Sequence, residues 1–160
     1  MNKPNLYMLI GIPCSGKSYY AEKEFKSKNI KIVSTDEIRI ELTGNRKFDQ
    51  GCNNAVFETS YSRIKEELLK GRDAVFDATN TNKKYRKKVI DLAKSCSSGI
   101  TAIIFRTPLT VCIERNKKRP YESKIPEQKL YYFSRANLDL DCLEGFDEIK
   151  EVIYRGDIIG

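Results

Sequence analysis

The chain has no histidine, so no imidazole is available to complete a zinc site. Its five cysteines, Cys14, Cys52, Cys96, Cys112 and Cys142, are odd in number and widely spaced, and they include no C-x-x-C pair. Neither a structural zinc centre nor a disulfide framework fits that pattern, and the five read as reduced thiols. Long apolar runs are missing too: none approaches the roughly 18 residues of a membrane span. Met1-Asn-Lys-Pro leads straight into an apolar segment without the pattern of a signal peptide, so a soluble cytoplasmic protein with no membrane partner is expected. There is no internal repeat and no low-complexity linker. The 160 residues predict a single domain, which at this length buries roughly 70% of its unfolded surface and leaves no room for a second catalytic domain.

The chain does carry a local excess of positive charge. Net charge is +7, yet the stretch from Lys83 to Arg119 holds eleven Lys and Arg against two acids, and the remainder is slightly acidic. Such a segment suits phosphates or nucleic acid. It equally suits the solvated side of an amphipathic helix, because Tyr85, Val89, Leu92 and Cys96 follow helical spacing and turn Lys83, Lys84, Lys87, Lys88 and Lys94 away from them.

The most informative segment is Gly11-Ile12-Pro13-Cys14-Ser15-Gly16-Lys17-Ser18, which fits G-x-x-x-x-G-K-[ST], the phosphate-binding loop of nucleotide triphosphatases. Gly11 and Gly16 let the backbone take turns closed to other residues, so that successive N–H groups point inward at a phosphate. Lys17 then neutralises the β/γ oxygens and Ser18 offers a hydroxyl to Mg²⁺. The helix that opens here aims the positive end of its dipole at the same anion. Context agrees, since Asn5 to Ile10 reads as a buried strand and Ser18 to Lys26 as a helix. ATP or GTP is the expected ligand. A redox role for Cys14 inside the loop is a second reading; the simpler one is a small residue fitting a tight turn.

The remaining elements alternate. Ile30 to Val33 is a short strand, Ser34-Thr-Asp-Glu37 a capping box opening a helix, and Gly44 to Asn54 a polar, irregular break. A helix with Phe57, Tyr61, Ile64 and Leu68 on one stripe ends at Gly71, and Asp73 to Asp77 is a strand. The basic helix covers about Asn82 to Ser95, and Ile100 to Arg106 is a strand. Thr107-Pro108 then caps a helix that runs to Arg119, a last helix covers Glu127 to Leu140, and Glu148 to Tyr154 is a final strand. This order predicts a three-layer α/β fold of the P-loop kinase type over residues 1–160, with a mostly parallel sheet, a helical lid at about 115–127 and the ligand at the carboxyl ends of the strands.

Phosphoryl transfer needs a phosphate cradle, a metal, a residue to orient the attacking oxygen, and cations for the transition-state charge. Asp36 and Arg39, three apart after the second strand, could take a hydroxyl proton and grip a nearby phosphate; the same spacing fits a helix cap with a local ion pair. Asp77 ends the third strand where a carboxylate can hold Mg²⁺, or where an Asp simply caps a loop. Arg115 and Arg119, one helical turn apart before Pro120, could be lid arginines or solvated ones.

Four segments together settle the resemblance: Gly11 to Ser18, Ser34-Thr-Asp36-Glu-Ile-Arg39, Val75-Phe-Asp77-Ala-Thr79-Asn80, and Val111-Cys-Ile-Glu-Arg115-Asn-Lys-Lys-Arg119. In order and spacing, over about residues 5 to 140, they resemble the 5′-hydroxyl polynucleotide kinase domain of phage and bacterial RNA-repair enzymes. The resemblance implies Lys17 and Ser18 on phosphate and Mg²⁺ and Asp36 as general base. It implies Arg39 on the acceptor's adjoining phosphate with Thr79 near it, and Arg115 and Arg119 on the donor phosphates. In the family the kinase domain is usually fused to phosphatase or ligase domains, so 3′-end healing or sealing is not assigned to these 160 residues, and Gly44 to Asn54 matches no pattern. The expected activity is therefore ATP-dependent phosphorylation of RNA or DNA 5′ ends. The alternatives are a small-molecule kinase, for a nucleoside, sugar or antibiotic or of zeta-toxin type, and a nucleotide-dependent binding module with little turnover. Arg39 and the basic stretch favour a phosphate-bearing acceptor, and Asp36 placed for proton transfer argues against a mere binder.

Overall fold

Five strands form one sheet in the computed structural model, which describes residues 2–47, 50–140 and 142–156. They are β1 (Asn5–Ile10), β2 (Lys31–Ser34), β3 (Ala74–Asp77), β4 (Gly99–Phe105) and β5 (Glu148–Val152), in the order β2-β3-β1-β4-β5, with every pairing parallel. Between them run α1 (Lys17–Glu24), α2 (Thr35–Thr43), α3 (Gln50–Leu69), α4 (Lys83–Ser95), α5 (Leu109–Lys117) and α6 (Glu127–Ser134). β1 lies in the middle, which is why its residues are apolar in unbroken succession: Leu6, Met8, Leu9 and Ile10 are all fully buried. Alternation sends Leu6, Met8 and Ile10 to the face covered by Ile38 of α2, Val56, Ile64 and Leu68 of α3, and Val89 and Ala93 of α4. Leu9 points to the other face, onto Ala21 and Phe25. These are the three layers expected from the sequence.

After β1 the chain moves out to β2, returns through β3, and then crosses to β4 on the opposite side of β1. A crevice forms at the carboxyl ends of strands where the order reverses in this way. The register places Leu9 and Ser34 both opposite Asp77, so the segments that follow β1, β2 and β3 emerge together at that edge.

Several boundaries differ from the sequence reading. The first helix ends at Glu24, and Lys26–Lys28 continue as a 3₁₀ turn closed by left-handed Asn29. The polar break is shorter than its composition suggests: Gln50 to Asn54 already belong to α3, whose opening turn of Gln, Gly, Cys and Asn has low intrinsic helicity and is tied to α2 by Arg39 on Asn53. Residues 48 and 49 of that segment lie outside the described residues. The last helix stops at Ser134 rather than near Leu140, and α5 at Lys117 rather than Arg119. In the basic helix the buried positions are Arg86, Val89, Ile90 and Ala93, while Tyr85 is 47% exposed and stacks its ring on Phe57.

Arg86, one basic residue among many in its stretch, is the most buried cation of α4. Its Nε donates to Glu144 at 3.0 Å, and its Nη1 donates to the carbonyls of Asn80 and Thr81 at 3.1 and 2.9 Å. The two side chains of the ion pair are 3% and 7% exposed. Removing one partner of a buried pair strands the other, so Glu144→Ala should lower the free energy of unfolding by about 3 kcal/mol or more. Urea denaturation checks this; a loss under about 1 kcal/mol is the scale of a surface pair and would contradict it.

Candidate active site

The loop after β1 curls because two of its residues are left-handed, Cys14 at φ 66° and Gly16 at φ 100°. A positive φ at a residue with a Cβ is costly and persists only where the surroundings enforce it. Gly11 is needed for a different reason, since a Cβ there would sit 2.8 Å from the Ser15 hydroxyl oxygen and 3.1 Å from Phe105 Cβ. The Gly11 N–H donates to the carbonyl of Thr79 at 3.0 Å, tying the loop to the segment after β3. α1 then begins at Lys17 with no side chain capping its first turn, which leaves its leading N–H groups to an anion.

Lys17 is 8% exposed and its ammonium turns back into the loop, donating to the Ile12 carbonyl at 2.9 Å. Burial pushes its pKa down from the ordinary lysine range, against the pull of Asp77 and Asp36. Ser18 Oγ donates to Asp77 Oδ2 at 2.7 Å. Burial pushes the Asp77 carboxyl up, while Lys17 and the Ser18 hydroxyl pull it back. A hydroxyl and a carboxylate side by side are hard oxygen donors, and Mg²⁺ bound with substrate phosphates and water takes one or two protein ligands of this kind. The pair fits that ion. It needs no larger cluster, and among the described residues no group of three potential metal-ligating side chains exists.

A cavity of about 700 Å³ opens at the loop, and its lining includes Lys17, Ser18, Thr35, Asp36, Asp77, Thr79, Arg115, Arg119 and Ile125. Its size is ordinary for a small-molecule site. Asp36 stands exposed on the first turn of α2, whose cap is Ser34 Oγ accepting from the Glu37 N–H at 3.3 Å. Arg39 does not line this cavity. It is 7% exposed, and its guanidinium reaches across to Asn53 Oδ1 of α3 at 3.4 and 3.5 Å.

The lid arginines differ from each other. Arg115 Nη1 donates to the Cys14 carbonyl at 3.0 Å, and its guanidinium lies 5.6 Å from the centre of the Tyr154 ring, within the range of a cation–π contact. Arg119, half-buried, faces the cavity with no carboxylate partner among the described residues. Between them Asn116 holds the lid loop, its Nδ2 donating to the Ile125 carbonyl at 2.6 Å while its Oδ1 accepts from the Ile125 N–H at 2.9 Å. Thr107, expected to cap α5, instead donates its hydroxyl to the Ser15 carbonyl at 2.7 Å, and Pro108 takes the cap position. The sequence points to neither Asn116 nor Tyr154, and to Thr107 only as a helix cap. Asn116 and Thr107 each sat in a segment already noted, but their partners lie elsewhere in the fold.

The described cysteines, Cys14, Cys52, Cys96 and Cys112, are free thiols. Burial pushes Cys14 up, with Arg119, Lys17 and Arg115 pulling it down, and pushes Cys112 up to about 11. A protonated, buried thiol is a poor nucleophile, which favours the simple packing role for Cys14. The side chain of Cys142 is outside the described residues.

A parallel sheet, a phosphate loop opening a helix, a hydroxyl and carboxylate joined at its edge and a helical lid define a P-loop kinase domain. Residues 6–136 match the AAA domain family, and the chain belongs to it. It is 30% identical over 128 residues to the L-seryl-tRNA(Sec) kinase of Methanococcus maripaludis, an alignment covering 77% of this chain and 48% of that protein. The chain therefore spans about half the length of that relative. In fold it is similar to a chain of the Pnkp1/Rnl/Hen1 RNA repair complex, with a TM-score of 0.74, 20% identity, and coverage of 83% of this chain and 43% of the other. It is also similar to Kti12 of Chaetomium thermophilum, crystallised with ADP-AlF3, with a TM-score of 0.72, 14% identity, and coverage of 95% and 90%. Among the described residues no helix is long and apolar enough to cross a membrane.

Proposed function

We propose that the chain transfers the γ-phosphoryl group of ATP to the 5′-hydroxyl end of a polynucleotide, with Mg²⁺. The observation that carries this reading is the single cavity in which Asp36 shares the space with Lys17, the Ser18–Asp77 pair and two arginines. The Asp36 carboxylate accepts the proton of the attacking hydroxyl as its oxygen bonds to the γ-phosphorus and the bond to the β-phosphate oxygen breaks, releasing ADP. Lys17 and Arg119 face the charge that develops on the transferred group. Mg²⁺, held by Ser18 and Asp77, would supply further neutralisation of the phosphates. A nucleic-acid acceptor draws support from the names of two similar proteins, one a seryl-tRNA kinase and one part of an RNA repair complex.

One observation favours the second reading, a small-molecule kinase: Arg39, expected to clamp the acceptor's phosphate, is bonded to Asn53 and does not line the cavity. Labelled ATP offered to oligonucleotides, nucleosides and sugars separates the two, and transfer confined to nucleosides or sugars rejects the polynucleotide reading. In the same assay Asp36→Asn should reduce turnover by about 10² or more with ATP affinity unchanged. If nucleotide binding collapses along with turnover, Asp36 is not the base.

A further inference from the structure

On the outer side of α4 a second concavity, of about 570 Å³, is lined by Lys83, Lys84, Lys87, Ile90, Leu143 and Glu144. Its charge is one-sided. Glu144 is neutralised by Arg86 beneath it at 3.0 Å. Lys87 meets Asp91 at 3.1 Å, but both side chains are largely in solvent, where such a pair contributes about 0–1 kcal/mol and exchanges readily for another anion. Lys83 and Lys84 have no carboxylate partner among the described residues. The far wall exists because residue 145 is glycine, at φ 118°: a Cβ there would lie 2.8 Å from Lys94 Nζ and 2.9 Å from Ile90 Cγ2. The loop carrying Leu143 and Glu144 can therefore lie down on α4, leaving Leu143 93% exposed as an apolar surface beside the lysines.

The groove is also held close to the catalytic cavity. Thr79 lines that cavity and Lys83 the groove, and four residues of chain span at most about 14 Å even when fully extended. The connection is fixed at both ends, by the Gly11 N–H on the Thr79 carbonyl and by Arg86 on the carbonyls of Asn80 and Thr81. We propose that this groove is the track for the acceptor strand beyond its reacting end, with Lys83, Lys84 and Lys87 on successive backbone phosphates and Leu143 against a sugar or base. The inference rests on the polynucleotide reading and adds to it a site that selects strands over single nucleotides.

The test measures binding rather than turnover. Fluorescence anisotropy of 3′-labelled 5′-hydroxyl oligonucleotides, a dinucleotide and a dodecanucleotide, gives the length advantage and its salt dependence. The wild-type chain should bind the longer strand more tightly. The double variant Lys83→Gln, Lys84→Gln should remove most of that advantage and flatten the slope of log K against log salt by about 1.4, at about 0.7 per phosphate contact on a single strand. Lys23→Gln with Lys28→Gln, the same charge loss in and after α1, should leave both quantities unchanged. A variant with the parental length advantage and slope overturns the groove, as does a wild-type chain with no length advantage. If the dodecanucleotide binds in a lysine-dependent way but is not phosphorylated, the polynucleotide kinase reading fails and the groove stands.

Discussion

Lys17→Ala should lose phosphoryl transfer by about 10³ or more, the scale of a cation acting on the transferred charge, while its melting temperature stays level or rises. The two halves of this expectation have one cause. The ammonium sits inside its own loop, 8% exposed, held by the Ile12 carbonyl at 2.9 Å and by the more distant Ser15 hydroxyl at 3.5 Å. A desolvated cation is a cost to the folded state that Asp77 and Asp36 offset only in part, since burial still lowers its pKa. On the proposed reading the charge is kept there for the β/γ oxygens. Turnover compared with a thermal melt reads both halves. Transfer within tenfold of the parent overturns the assignment, and a collapse in melting temperature makes Lys17 a structural residue.

What the sequence made legible is what depends on near neighbours. The strand, loop and helix around Gly11 to Ser18 follow from glycine backbone freedom and a local apolar run, and they stand as expected. The cap at Ser34, which accepts from the Glu37 N–H at 3.3 Å, is likewise a three-residue affair. The placement of Arg39 was not legible, because its neighbour Asn53 lies in a polar stretch with no helical signature of its own until it packs as the start of α3. Thr107 on Ser15 and Arg115 on Cys14 are contacts across 92 and 101 residues. Nothing in the spacing of either segment encodes its partner. Arg86 shows the same limit from the other side: a basic residue among lysines, it is drawn into the interior by two carbonyls and a carboxylate that only the folded loops bring to it.

The two lid arginines should not respond alike when each is changed to lysine, a substitution that keeps the charge and removes the planar fork. Arg119 lines the cavity without a carboxylate partner among the described residues, so on the proposed reading its guanidinium is placed to follow the transferred group. Arg119→Lys should cut kcat by about 10³ or more, as loss of an arginine on the transition-state charge does, with little change in the KM for ATP. Arg115 is already engaged, donating to the Cys14 carbonyl at 3.0 Å and packed near Tyr154, so on the proposed reading it also shapes the nucleotide loop before any chemistry. Arg115→Lys should therefore raise the KM for ATP as well as lower kcat. Tyr154→Phe, which keeps an aromatic face for the cation, should preserve ATP affinity, whereas Tyr154→Ala should reproduce part of the rise in KM. Steady-state kinetics on the four variants distinguish these outcomes. Parental kcat in both lysine variants would mean that the arginines are solvated helix residues and that the transferred charge is met elsewhere in the cavity.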